Sequence, residues 1–191
     1  MCSRFELNAP ARALAGRFRL AAPPPLPNRA EIRPTDAALV VAAGGGRLAG
    51  WGLAVGWNRR PLINARAETL TARPSFRRLL AGRVLVPATA WWEWRAEAAG
   101  GRTKLRLAPA LPLFALAGLL DGERFTLVTC AAAPGLAAIH DRMPAVLRPE
   151  DEGLWLDPDR PFAEAAAALA PYAGPIAATA EAPPPAQGSL F

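Results

Sequence analysis

A cysteine at position 2 offers chemistry that an internal cysteine cannot. Where a small residue follows Met1, the methionine is normally removed, and the Cys2 α-amine is then free beside its own thiol. The amine can attack an aldehyde to give a Schiff base. The thiol can then add to the imine carbon and close a five-membered thiazolidine ring. An ordinary α-amine titrates at about 8 and a thiol at about 8.5, so useful fractions of both nucleophiles exist at neutral pH. Position alone leaves open the simpler reading, that a small residue merely follows Met1.

Three further clusters carry chemistry-bearing side chains. Asn64-Ala65-Arg66-Ala67-Glu68-Thr69 sets polar groups directly after the apolar Leu62-Ile63; it reads either as a site or as a strand end entering a turn. Trp91-Trp92-Glu93-Trp94-Arg95 puts one acid among three tryptophans. In a strand, alternation sends Glu93 to the face opposite Trp92 and Trp94. An acid hemmed in by aromatics has a raised pKa and suits proton transfer; the alternative is a solvated acid on a half-buried strand. Ile139-His140-Asp141-Arg142-Met143-Pro144 holds the only histidine of the chain. It lies in a loop-like stretch, where functional groups collect, and is either structural or catalytic.

The elements that must position these residues are mostly strands. Apolar runs predict strands over Ala37–Ala43, Leu48–Val55, Arg83–Val86, Ala90–Arg95, Thr103–Leu107, Pro112–Leu120 and Arg124–Ala132. Gly44-Gly45-Gly46, Gly100-Gly101 and Asp121-Gly122 supply turns, and Asn58–Pro61 reads as a polar break. Helices are expected over Ala11–Leu20, Ser75–Ala81, Pro149–Leu156 and Pro161–Ala170, with a helical turn at Pro134–Ile139. Pro23-Pro24-Pro25 and Pro27 form a loop. The fold class is α+β: a compact, β-rich domain of mainly antiparallel strands with peripheral helices. One domain is expected over 1–180, followed by a disordered tail over 181–191.

With 191 residues, 52% of them hydrophobic, the chain can bury a sizeable core. No apolar run reaches the roughly 20 residues of a membrane helix, and no signal-peptide pattern opens the chain, so a cytoplasmic protein is expected. Cys2 and Cys130 are too few for a disulfide framework or a cysteine zinc site; no metal and no organic cofactor are expected, and Cys130 reads as a buried packing residue. The net charge of +6 is carried almost wholly by arginine, with Lys104 the only lysine. That excess reads either as codon bias of a GC-rich genome or as a surface for phosphate.

Taken in order, the pieces resemble the SOS response-associated peptidase (SRAP) family. Met1-Cys2-Ser3-Arg4-Phe5 is similar to its Met-Cys-Gly-Arg-Phe start, Ile32-Arg33-Pro34-Thr35 to its Ala-Pro-Thr segment, and Trp51-Gly52-Leu53 through Trp57 to its Trp-Gly-Leu…Trp stretch. Leu62–Thr69 resembles Asn-Ala-Arg-x-Glu-Thr, Trp91–Trp94 the aromatic-aromatic-Glu-Trp motif, and Ile139–Leu147 His-x-Arg-Met-Pro-x-x-Leu. Ser3, Arg33 and Trp91 depart from the usual glycine, alanine and glycine. After Leu156 the likeness fades, and Ala163–Thr179 lacks the family's Val-Asn segment.

The resemblance implies a partner, single-stranded DNA carrying an abasic site, and a damage-response role in which the lesion is shielded by a covalent crosslink. It implies Cys2 as nucleophile, Asn64 holding the Cys2 amine or the opened sugar, Glu93 moving protons, and His140 as acid or base at the opened deoxyribose. Arg4 and Arg66 would grip flanking phosphates, and Trp57 and Pro34 would stack on or wedge against neighbouring bases. Self-processing peptidase and lyase-type activities come with the family, and a monomer is expected. Two other readings stay open. One is a thiol peptidase built on Cys2, Glu93 and His140. The other is a noncatalytic DNA reader, with Gln187–Phe191 either a docking motif or a frayed end.

Overall fold

The computed structural model describes residues 2–22 and 29–181; the expected proline loop at 23–27 and the tail at 182–191 lie outside the described residues. Fifteen strands follow in chain order among the described residues: β1 (Phe5–Leu7), β2 (Arg29–Ile32), β3 (Ala37–Ala42), β4 (Gly45–Trp51), β5 (Leu53–Val55), β6 (Asn58–Leu62), β7 (Asn64–Arg66), β8 (Arg83–Ala88), β9 (Ala90–Ala96), β10 (Arg102–Pro109), β11 (Phe114–Asp121), β12 (Arg124–Ala131), β13 (Arg142–Pro144), β14 (Val146–Leu147) and β15 (Ile176–Ala180). Helices α1 (Ala11–Phe18), α2 (Pro74–Arg77), α3 (Glu152–Leu156) and α4 (Phe162–Ala165) are short. The β-rich α+β class read from the sequence is the class observed.

The larger sheet runs β12-β4-β3-β8-β11, and β11 pairs back onto β12. That return closes a ring of strands, so neither β11 nor β12 presents an open edge there. β8 is buried along its whole length, which is why Val84-Leu85-Val86 reads as an unbroken apolar run rather than an alternating one. β12 is the pivot for the site. Along one flank it meets β4 and then β7, both parallel; along the other it meets β11 and then β13, both antiparallel. The second sheet has the order β15-β10-β9-β1-β2. Its β1 carries the start of the chain, and one continuous core joins both sheets through Phe5, Trp51, Trp91, Phe114 and Phe125.

Several boundaries differ from the sequence expectation. The expected strand Leu48–Val55 is two strands, because the chain turns at Gly52, whose φ of +119° is open to glycine and closed to most side chains. Asn58–Pro61 is not a break but most of β6, which pairs with β5 as a separate two-stranded hairpin. Pro61 is tolerated there because a two-stranded ribbon leaves one edge unpaired. The turn before β4 falls at Ala43-Gly44, so Gly45 and Gly46 belong to the strand. Helix α2 ends at Arg77 rather than Ala81. β15 was not expected at all: Ile-Ala-Ala-Thr-Ala is small and mostly exposed, and pairing to β10 holds it. Glu181, expected in the tail, hydrogen-bonds Lys104 through its backbone at 3.0 Å and pairs with it through its carboxylate at 2.6 Å.

Arg83 fastens the C-terminal segment to the barrel. It is 5% exposed, and its guanidinium donates to the carbonyls of Trp155 (2.6 Å), Leu80 (2.7 Å), Arg160 (3.0 Å) and Asp157. Replacing it by methionine leaves these carbonyls without their donors. The expected cost is about 2–4 kcal/mol, read from urea unfolding. An unchanged midpoint would remove this role.

Candidate functional site

The register of β1 on β9 decides where Cys2 lies. Phe5 pairs with Trp91 and Glu6 with Ala90, and the Trp92 amide donates to the Arg4 carbonyl at 3.1 Å. This lays the start of the chain along the Trp92–Trp94 stretch and drives Cys2 into the interior, where it is 0% exposed. Its Sγ lies 3.4 Å from the Arg4 carbonyl. From the other side, Asn64 Nδ2 donates to the Cys2 carbonyl at 2.7 Å. Asn64 opens β7, which β12 holds in parallel register (Leu127 opposite Asn64). Cys2 thus ties the second sheet to the barrel. The Asn64 amide can take only this orientation, since the reverse would set oxygen against oxygen. Its Oδ1 is left buried and without a hydrogen-bond partner, an unused acceptor beside Cys2.

Glu93 sits on β9 opposite Leu105 of β10 and is 2% exposed. The solvated alternative is therefore excluded. Burial pushes its pKa up to about 7, and the charge of Asp141 adds to the rise. Burial also raises the Cys2 thiol well above its ordinary range, with the Glu93 charge next in weight. Cys2 is therefore a protonated thiol at neutral pH, near a carboxyl group that is itself half-ionised. That combination suits proton exchange between the two and does not supply a preformed thiolate.

His140 follows the 3-10 turn Pro134–Leu136. Its Nδ1 accepts the Arg142 backbone N–H at 2.9 Å, so the neutral ring carries its proton on Nε2. Asp141 Oδ1 also lies 2.8 Å from Nδ1, but that side chain is 83% exposed and can accept from Nδ1 only once the ring is protonated. Burial, the largest cause, lowers the His140 pKa, which favours the neutral ring. Arg142 then links the two loops of the site. Its guanidinium grips Glu68 with two bonds of 2.7 and 2.9 Å and donates to the Thr129 carbonyl at 2.7 Å. The segment bearing His140 and the segment bearing Asn64 are thereby clamped across β12. Glu68 stood in the quoted Glu-Thr pair, yet its partner was invisible until β12 set the two segments side by side.

The residues expected to hold DNA are placed differently from one another. Arg4 is paired with Glu31, and its guanidinium lies 5.8 Å from the Trp94 ring; a phosphate would have to compete with a carboxylate for it. Pro34 is half-buried in the turn joining β2 to β3, where Thr35 has a φ of 77°. Trp57, at the β5–β6 hairpin, is 67% exposed. Arg66 is exposed and lines a pocket of about 310 Å3 with Trp57, Leu62, Asn64, Thr69, Arg73, Ser75 and Phe76. No motif singled out Arg73 or Ser75. Among the described residues no three His, Cys, Asp or Glu side chains converge as a metal site, and no helix is long and apolar enough to cross a membrane.

Comparison with known proteins bears on this arrangement. A sequence profile of the SOS response associated peptidase (SRAP) family matches residues 1–182. The abasic site processing protein YedK of Escherichia coli is 40% identical over 118 residues, 56% of this chain and 52% of that protein. YoaM of Bacillus subtilis, with the same designation, is 36% identical over 124 residues, 56% of this chain and 55% of its own length. The chain spans about half the length of these curated relatives. A crystal structure of a Bacteroides thetaiotaomicron protein superposes with a TM-score of 0.82 at 25% identity, covering 94% of this chain and 91% of the other. One from Bordetella bronchiseptica gives 0.80 at 23% identity, covering 95% and 100%; that likeness concerns the fold alone.

Proposed function

Since the chain belongs to the SOS response associated peptidase family, we propose that it processes abasic sites in DNA by a covalent bond from Cys2 to the ring-opened sugar in a single strand. The relatives' designation supplies the substrate class. The observation that carries the reading is the pairing of a buried Cys2, held at its carbonyl by Asn64, with a Glu93 whose pKa is about 7.

The chemistry balances as follows. With Met1 removed, the Cys2 amine adds to the C1′ aldehyde to form a carbinolamine. Protonated Glu93 gives its proton to the departing hydroxyl, water leaves, and an iminium ion remains. The Cys2 sulfur then adds to the iminium carbon, its proton passes to the Glu93 carboxylate, and the thiazolidine closes. The net change is loss of one water. Glu93 ends protonated, as it began, which a group titrating near neutrality can do in both directions. His140, neutral and with its proton on Nε2, is a donor for the sugar oxygens during ring opening. Asn64 Oδ1 accepts from the freed amine or from a sugar hydroxyl. A thiol peptidase would call for a thiol pKa lowered by its surroundings, the reverse of the direction at Cys2.

The test is a denaturing gel of Met1-free protein with a single-stranded oligonucleotide carrying one abasic site, beside an intact oligonucleotide. A shifted, heat-stable band that needs the lesion supports the proposal; no band from Met1-free protein removes it. In the same assay Asn64→Ala should form the band roughly 10- to 100-fold more slowly, the kinetic equivalent of losing one buried hydrogen bond and its partner's anchorage. An unchanged rate would take Asn64 out of the mechanism.

A further inference from the structure

An aldehyde condenses with any free amine it meets, and the basic side chains of this protein hold almost none. Of its 22 Lys and Arg residues, Lys104 is the one lysine. A guanidinium binds phosphate, yet it stays protonated up to about pH 12 and offers no nitrogen lone pair to a carbonyl. Whatever codon usage placed arginine there, the chemical consequence is the same. Arg66, exposed and two residues beyond Asn64 on β7, is a cation beside the site that cannot form a Schiff base.

Lys104 is held back by its surroundings. It lies on β10 opposite Trp94. Its Nζ is 3.0 Å from the carboxylate of Glu31 on β2, 2.6 Å from that of Glu181 just past β15, and 4.9 Å from the centroid of the Trp92 ring. Two carboxylates and a ring face thus take up the ammonium. Burial disfavours its charge, but the hydrogen bonds to Glu181 and Glu31 outweigh burial, and the pKa is raised above the ordinary lysine value. At neutral pH an ordinary lysine is free amine in roughly one part in 2,500, against about one part in ten for an α-amine; Lys104 falls below the first figure. The restraint bears on the site, because Lys104 shares Glu31 with Arg4, two residues from Cys2.

We propose that the protein confines aldehyde chemistry to a single amine, that of Cys2: guanidiniums carry its positive charge, and Glu31, Glu181 and Trp92 withhold its one ε-amine. This rests on the reading of Cys2 as the crosslinking residue. The outcome avoided is strand scission. A lysine amine would join C1′ with loss of water. The imine would then lose a C2′ proton, the C3′–O bond would break and the 3′ phosphate would depart. Water would return the amine for another round. Cys2 starts on the same path, but its own thiol adds to the imine carbon and removes the imine before C2′ loses its proton. Glu31 and Glu181 therefore help to decide which product an abasic sugar gives.

The test uses the full chain, freed of Met1, and an end-labelled abasic oligonucleotide. Scission is read on denaturing gels, and protein-bound sugar is mapped by digestion with and without borohydride. In the wild type and in Lys104→Arg all bound sugar should lie on the N-terminal peptide, and scission should not exceed the protein-free rate. Arg66→Lys should raise scission at least about tenfold, since an amine held beside the sugar gains effective concentration, and borohydride should trap a second adduct at residue 66. A second arm labels amines with glycolaldehyde and cyanoborohydride. Lys104 should react at least about tenfold more slowly in the wild type than in the Glu31→Gln, Glu181→Gln double variant, the equivalent of one pKa unit of free amine. The inference is overturned if wild-type sugar is trapped on Lys104, if Arg66→Lys leaves scission unchanged, or if Lys104 labelling ignores the two carboxylates. A wild type that forms no heat-stable adduct, beside an Arg66→Lys variant that still traps sugar at residue 66, refutes the crosslinking reading alone. A wild-type adduct accompanied by sugar on Lys104 refutes the single-amine inference alone.

Discussion

Cys2→Ala protein, freed of Met1, should form no heat-stable adduct with abasic DNA, yet should still give a covalent product when borohydride is present. Alanine at position 2 keeps the α-amine and loses the sulfur. The Schiff base therefore forms and can be trapped by reduction, but nothing closes on the imine carbon and water reverses it. Cys130→Ala is the matched control. Cys130 is also buried, and its thiol is pushed up to about 11, but it packs within β12 and should leave adduct yield unchanged. A heat-stable adduct from Cys2→Ala would show that the thiol is not part of the linkage. Absence of a trapped product from the same variant would show that the amine is not.

The second large effect belongs to Glu93. Glu93→Gln removes the group that donates to the leaving water and accepts from the thiol, and adduct formation should slow by about 10²- to 10⁴-fold. The shape of the pH profile is the sharper readout. In the wild type the rate should rise as the Cys2 amine deprotonates and fall as Glu93, titrating at about 7, loses its proton. In Glu93→Gln the falling limb should vanish. Stability should change as well. The pKa is raised from 4.5 to about 7, so between those values the folded state binds more protons than the unfolded one. Stability is lost as pH climbs through that window, by about 3 kcal/mol at most. Glutamine does not titrate. Glu93→Gln should therefore gain stability relative to wild type between pH 5 and pH 8 in urea unfolding, with the other carboxylates cancelling in the comparison. A constant difference across that range would mean that Glu93 is not buried as described.

The strands that frame the site were legible because their apolar runs serve one purpose. Val84–Val86 and Phe125–Cys130 lie between neighbours and are buried on both faces, with Thr126 and Thr129 the polar members of the second run. The Asp121-Gly122 turn joins β11 to β12 as its residues suggest, with Gly122 at a φ of 56°. What escaped was held by pairing rather than by composition: β6 by its partner β5, and β15 by β10. At the site, the residue types of Cys2, Asn64, Glu93 and His140 could be picked out by pattern, whereas their environment could not. The sequence left Glu93 poised between solvated and buried, and only the packing of β9 between β1 and β10 decides it. Arg4 illustrates the converse. Its type suits phosphate, but Glu31 comes from a strand far along the chain, and no local signal announces that partner. The Arg142–Glu68 clamp likewise depends on β7 and β13 meeting β12 at adjoining positions.

The most direct test of the central claim is chemical mapping of the adduct. Met1-free protein would be reacted with an abasic oligonucleotide, denatured, alkylated at its free thiols and digested, and the N-terminal peptide weighed. A thiazolidine predicts that this peptide carries the sugar remnant with loss of one water, resists alkylation and does not gain hydrogen from borohydride, while the Cys130 peptide is alkylated. A remnant attached elsewhere, or an N-terminal peptide that both carries the remnant and alkylates at Cys2, would contradict it.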